Sequence, residues 1–110
     1  VQITFVKKIL ANGDPCEKCR DIEARLSASG HLDRIDKILI ADERDPESPG
    51  MLLAQELLVD RAPFFVVDDQ GQRNVYTVYF KFLREVLNVE VAGSQAAQEI
   101  LRDNPELDFL

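Results

Sequence analysis

The chain has no tryptophan, one methionine, one histidine and only two cysteines in 110 residues, and each scarcity removes a class of protein. Cys16 and Cys19 lie three positions apart, a loop too small to staple a fold by restricting the unfolded chain, so a disulfide framework of the secreted kind is excluded. His31 is the sole histidine, and no cysteine exists beyond the pair, which leaves few ligands for a four-coordinate zinc site. The longest apolar runs, such as Ala62-Pro63-Phe64-Phe65-Val66-Val67, are far too short to cross a bilayer. The first residues have the rhythm of a strand and do not follow the pattern of a secretion signal. A start at Val1 fits a trimmed protein or a piece of a longer one equally. Net charge is −7, with the 13 basic residues scattered, so no patch would neutralise a run of phosphates. The expectation is a soluble, cytoplasmic protein with neither nucleic acid nor membrane as partner.

Against these absences stands a hydrophobic content of 45%, enough for one core in one domain of this length. Gln2 to Leu10 reads as a strand closed by a loop at Ala11-Asn12-Gly13-Asp14-Pro15. A helix follows from Asp14 to near Ser29-Gly30, with Cys16, Cys19, Ile22 and Leu26 on one face. Ile35 to Ala41 is a second strand, and Met51 to Val59 a second helix after a loop containing Pro46 and Pro49. Pro63 to Val67 and Asn74 to Val78 form the third and fourth strands, joined by a turn at Asp68-Asp69-Gln70-Gly71. Tyr79 to Leu87 is a third helix, and residues 95–102 a short fourth. The resulting order, β-α-β-α-β-β-α plus a C-terminal tail, implies an α/β fold: a four-stranded mixed sheet with helices on both faces. Residues 1–90 form the domain, and residues 91–110 an acidic helix and tail. Residues 89–110 hold five acids against one arginine, so −4 of the −7 lies there.

The chemistry-bearing residues are the two thiols. With Asp14 as N-cap, Pro15 at the first helical position and Glu17 placed for a capping box, Cys16 falls in the first turn. Backbone N–H groups there lack helical partners and the helix dipole is positive, so a thiolate is stabilised. Cysteines in such motifs have pKa values of about 3.5 to 7 in place of about 8.5. Cys16 is then the attacking sulfur, and Cys19, one turn on, resolves the mixed disulfide.

Asp14-Pro15-Cys16-Glu17-Lys18-Cys19-Arg20 after a strand, with Arg61-Ala62-Pro63-Phe64-Phe65-Val66-Val67 before a hairpin, resembles the thioredoxin and glutaredoxin superfamily over roughly residues 2–88. The resemblance implies a thioredoxin-like fold and a thiol-disulfide oxidoreductase, with Cys16 and Cys19 catalytic. It implies a cis-proline at Pro63 facing the dithiol, with Ala62 offering backbone hydrogen bonds to an extended substrate. Pro15 and Lys18, which flank the thiols, are substrate-binding candidates with Ala62 and Pro63. Partners would be protein or glutathione-type disulfides, with a reductase or glutathione as electron donor, and no organic cofactor is needed. The chain departs from the thioredoxin branch, which places tryptophan before the first cysteine and Gly-Pro between the two. Lys7 and Lys8 also stand in the first strand where that branch holds a buried acid. From the glutaredoxin branch it departs at Arg61-Ala62-Pro63, where Thr-Val-Pro is usual.

Two other readings stay open at this point. One is a redox-inactive adaptor of the same fold that binds a partner protein. The other is a metal-binding module through Cys16 and Cys19, completed by His31, a carboxylate or a second chain. His31 itself, after Gly30 at a helix end, reads as a capping or solvated residue. Tyr76, Tyr79, Phe80 and Phe82 read as packing residues.

Overall fold

The computed structural model describes residues 1–88. Its elements are β1 (Gln2–Ile9), α1 (Glu17–Ala28), a short 3-10 turn (Leu32–Arg34), β2 (Lys37–Asp42), α2 (Pro49–Leu57), β3 (Phe64–Asp69), β4 (Gln72–Tyr76) and α3 (Tyr79–Glu85). The chain divides into two compact units, Val1–Thr77 and Val78–Leu110. The first holds the whole sheet with α1 and α2. In the second, α3 buries Tyr79, Phe82 and Leu83, and Tyr79 packs its ring on Phe80 at 5.3 Å. The expected helix at 95–102 and the acidic tail lie outside the described residues.

The strand order is β2-β1-β3-β4. β1 runs parallel to β2 and antiparallel to β3, and β3 runs antiparallel to β4, so the sheet is mixed as the element order implied. β1 is central, and Ile3, Thr4, Phe5 and Val6 are all buried, the mark of a strand covered on both faces. Successive side chains point to opposite faces. On one face Val6, Ala41, Phe64 and Val66 form a cluster joined by Met51, Leu53, Ala54 and Leu57 of α2. On the other face Phe5 stacks on Phe65 at 5.0 Å, and Lys7 reaches Glu23 of α1 at 3.1 Å. α1 and α2 therefore cover opposite faces.

Several element ends differ from the sequence reading for identifiable reasons. α2 begins at Pro49, not Met51, because Ser48 is extended at the cap and Pro49 takes the first helical position, where its missing N–H costs nothing. The Ser48 hydroxyl accepts the Asp42 N–H at 3.0 Å and donates to the Asp45 carbonyl at 2.8 Å, tying the loop to the end of β2. Gly50 follows where the helix meets the strand: a Cβ there would stand 2.4 Å from the Ala41 backbone nitrogen. Glycine at this position marks close approach and not a break. β3 continues through Asp69, so the hairpin loop is only Gln70 and Gly71, with φ of 51° and 85°. Positive φ at both loop residues gives the right-handed twist that two-residue hairpins favour.

Candidate functional site

The loop between β1 and α1 is fixed by its own backbone. Leu10 N–H donates to the Asp14 carbonyl and Gly13 N–H to the Leu10 carbonyl, each at 2.8 Å, and Pro15 bridges to Ile9. Cys16 N–H then donates to the Lys8 carbonyl at 3.0 Å. Asp14 is engaged with Asn12, accepting its amide at 3.1 Å while the Asp14 N–H donates to Asn12 Oδ1 at 2.9 Å. Its carboxylate is thus spent within the turn, and it does not cap the helix as the sequence suggested.

The cap is Cys16 itself. Its backbone is extended (φ −60°, ψ 126°), and its Sγ accepts the Cys19 N–H at 3.4 Å. A sulfur here does what a Ser or Asp oxygen does at other helix starts: it takes one of the N–H groups that have no partner in the first turn. The two-residue shift leaves Cys16 at the helix tip and Cys19 one turn on, in the buried stripe with Ile22 and Leu26.

The two sulfurs differ in environment. Cys16 is half-buried, whereas Cys19 is 2% exposed. Cys19 Sγ accepts the Lys8 N–H at 3.4 Å, so one residue of β1 holds both cysteines, its carbonyl taking Cys16 and its N–H taking Cys19. Burial pushes the Cys19 thiol up to about 12, and the hydrogen bond to the Cys16 sulfur adds to this; the Lys8 N–H and, more weakly, the Lys8 ammonium pull the other way. At neutral pH Cys19 therefore keeps its proton. In the sequence Lys8 marks only the absence of a carboxylate, and its part as a two-sided backbone clamp has no signal in its residue type.

Pro63 is buried and Ala62 half-buried, and the bond between them is cis, as the resemblance implied. The β1–β3 ladder ends at Val6 paired with Phe64. Pro63 and Ala62 thus continue beside the same end of β1 at which Lys8 holds the dithiol. Pro15 is exposed and Lys18 half-buried at the helix tip. His31 sits at the other end of α1, its Nδ1 2.8 Å from the Ser29 hydroxyl and its N–H donating to the Leu26 carbonyl. Among the described residues no group of three or more His, Cys, Asp or Glu could hold a metal ion. Among them, too, no helix is long and apolar enough to cross a membrane.

A mixed sheet ordered β2-β1-β3-β4, a C-x-x-C pair opening the helix after the central strand, and a cis-proline leading into β3 define a thioredoxin-like fold. No family model matches the chain, and no curated protein matches it. Among solved structures it is similar to thioredoxin 1 from the thermophilic eubacterium Thermosipho africanus TCF52B, at 12% identity and a TM-score of 0.41, over 96% of this chain and 98% of that one.

Proposed function

We propose that this chain is a thiol-disulfide oxidoreductase in which Cys16 attacks and Cys19 resolves. The observation that carries the reading is the asymmetry of two neighbouring sulfurs: one half-buried at a helix tip and hydrogen-bonded by a backbone N–H, the other buried and protonated one turn below. Cys16 as thiolate attacks one sulfur of a substrate disulfide, forming a mixed disulfide and releasing the first substrate thiolate, which takes up a proton. Cys19 then gives up its proton and attacks Cys16 Sγ. A Cys16–Cys19 bond forms, the mixed disulfide breaks, and the second substrate thiol leaves. The substrate gains two electrons and two protons, and the protein loses the same, so a thiol reductant must restore the dithiol. No organic cofactor enters these steps.

Substrates are protein or glutathione-type disulfides, and the donor is glutathione or a reductase. Ala62 and Pro63 shape the groove beside the dithiol, and Pro15 and Lys18 border it. The cysteine usage suits a reducing, cytoplasmic setting, in which an unpaired dithiol persists. The test is a disulfide-reduction assay with glutathione as donor, combined with a redox titration of the dithiol. Cys16→Ser is expected to abolish turnover. Full activity in that variant would end the assignment.

A further inference from the structure

β2 is an edge of the sheet: it pairs with β1 on one side, and among the described residues no strand lies beyond it. β4 is the other edge, and the two are unlike. β4 opens with Gln72, Arg73 and Asn74, all exposed and polar, and Arg73 pairs with Asp68 and Glu56. Such residues are how an edge avoids pairing with another chain. β2 has none between its ends: Ile38, Leu39, Ile40 and Ala41 stand between Lys37 and Asp42, and Ile38 is 42% exposed. We infer that this edge pairs with the β2 edge of a second copy, antiparallel about a two-fold axis at Leu39, joining two four-stranded sheets into one.

Hydrogen bonding sets the register. Glu43 N–H donates to the Ile9 carbonyl, towards β1, whereas Asp42 N–H donates outward to the Ser48 hydroxyl. Main-chain groups of successive strand residues point to opposite sides, so those of Ile40 and Ile38 also point outward. The open edge stops at both ends. The Asp42 carbonyl accepts the Asp45 N–H at 2.9 Å, and before β2 the Asp36 N–H turns back to the Ile3 carbonyl at 2.8 Å. With Leu39 opposite its own counterpart, Ile38 meets Ile40 of the second copy and Ile40 meets Ile38, so each open N–H finds an open C=O. Registers centred on Ile40 or Ile38 would set an isoleucine against Asp42 or Asp36, whose N–H groups are already taken.

Side chains and charge agree with that register. Leu39 packs towards α2 with the Val6 cluster, so Ile38 and Ile40 lie on the α1 face, where the two copies bring four isoleucines together. Lys37 comes diagonally opposite Glu43 of the second copy on the α2 face, within reach of long side chains. The carboxylates brought opposite each other are already engaged, Asp36 with the Ile3 N–H at 2.7 Å and Asp42 with Arg44 at 2.9 Å. The edge lies across β1 from the cis-proline, and antiparallel pairing turns the two dithiol ends in opposite directions, so neither blocks the other.

The test is sedimentation of the full chain from micromolar to millimolar concentration, with a reductant present to remove disulfide-linked pairs. A contact of one strand pair belongs with the weak interfaces, so the expected dissociation constant is micromolar. Ile38→Lys, at a side chain already exposed, should raise it at least about tenfold, since one substitution acts twice across the axis. Lys37→Glu should raise it about fivefold, and adding Glu43→Lys should restore it to within about twofold. Adding Asp69→Lys instead, at the hairpin away from this edge, should restore nothing. A chain that stays monomeric throughout would overturn the inference, whether its edge is idle or takes a strand of another protein. So would a dimer indifferent to Ile38→Lys, or one that Asp69→Lys restores as well as Glu43→Lys does. Circular dichroism checks that each variant is folded, and the Lys37→Glu series carries the test if Ile38→Lys is not.

Discussion

The two faces of β1 are held in different ways. Towards α2, Val6 joins Ala41, Phe64 and Val66 in a cluster without a polar group, and Gly50 brings the helix almost onto the Ala41 backbone. Towards α1 the face is apolar as well, with Phe5 stacked on Phe65 and Ile22 and Leu26 of the helix buried, but polar ties are added: the Lys7–Glu23 ion pair along the helix and the Lys8 backbone groups at its tip. Both faces are filled by apolar side chains, and on the α2 face the close approach at Gly50 makes a single carbon felt. The α1 face in addition has its reactive end set by hydrogen bonds, which position the sulfurs without enclosing both of them. The same strand thus anchors the fold through its side chains and presents the dithiol through its backbone.

The sharpest way to break this contrast is Gly50→Ala. The added Cβ meets backbone at 2.4 Å, which no rotamer change relieves. The expected loss is about 3 kcal/mol, read as a lower urea midpoint at unchanged slope. An unchanged midpoint would mean that α2 is not fixed by close approach.

An intermediate effect is expected from pH. Folded Cys19 holds its proton up to about 12, while in the unfolded chain it is released near the ordinary 9.0. Between those values the unfolded state binds fewer protons, so stability of the reduced protein is full below pH 9 and declines as pH rises towards 12. Cys19→Ala should flatten that decline in urea titrations between pH 8 and pH 11. Identical slopes would show that Cys19 is not buried as described.

The smallest effect belongs to the α1 face. Lys7 and Glu23 are each about 30% exposed, so their pair is partly screened. Glu23→Gln is expected to cost less than about 1 kcal/mol. A cost above that of Gly50→Ala would invert the comparison.

Much of this architecture was legible because the sequence marks it redundantly. β-Branched and apolar residues closed by a loop gave β1, the apolar run Pro63 to Val67 before a turn gave β3, and the spacing of Cys19, Ile22 and Leu26 gave the buried stripe of α1. The C-x-x-C followed by a proline at the third strand pointed to both ends of the site. The rest depended on contacts that no local pattern records. Asp14 is the better cap by residue type, yet Asn12 holds it in the turn, and the cap passes to a cysteine. Pro49 and Gly50 resemble breakers, but one is a helix start and the other a point of contact with β2. Lys8 acts through its main chain, which every residue possesses, so its role could be found only from the fold.

The central claim is that two sulfurs in one helical turn have unequal reach. It is tested most directly by mass spectrometry of Cys16→Ser and Cys19→Ser, each incubated at neutral pH with a peptide disulfide. The account predicts a stable peptide adduct on Cys16 in Cys19→Ser and none on Cys19 in Cys16→Ser. Adducts of equal yield in both variants, or on Cys19 alone, would contradict it.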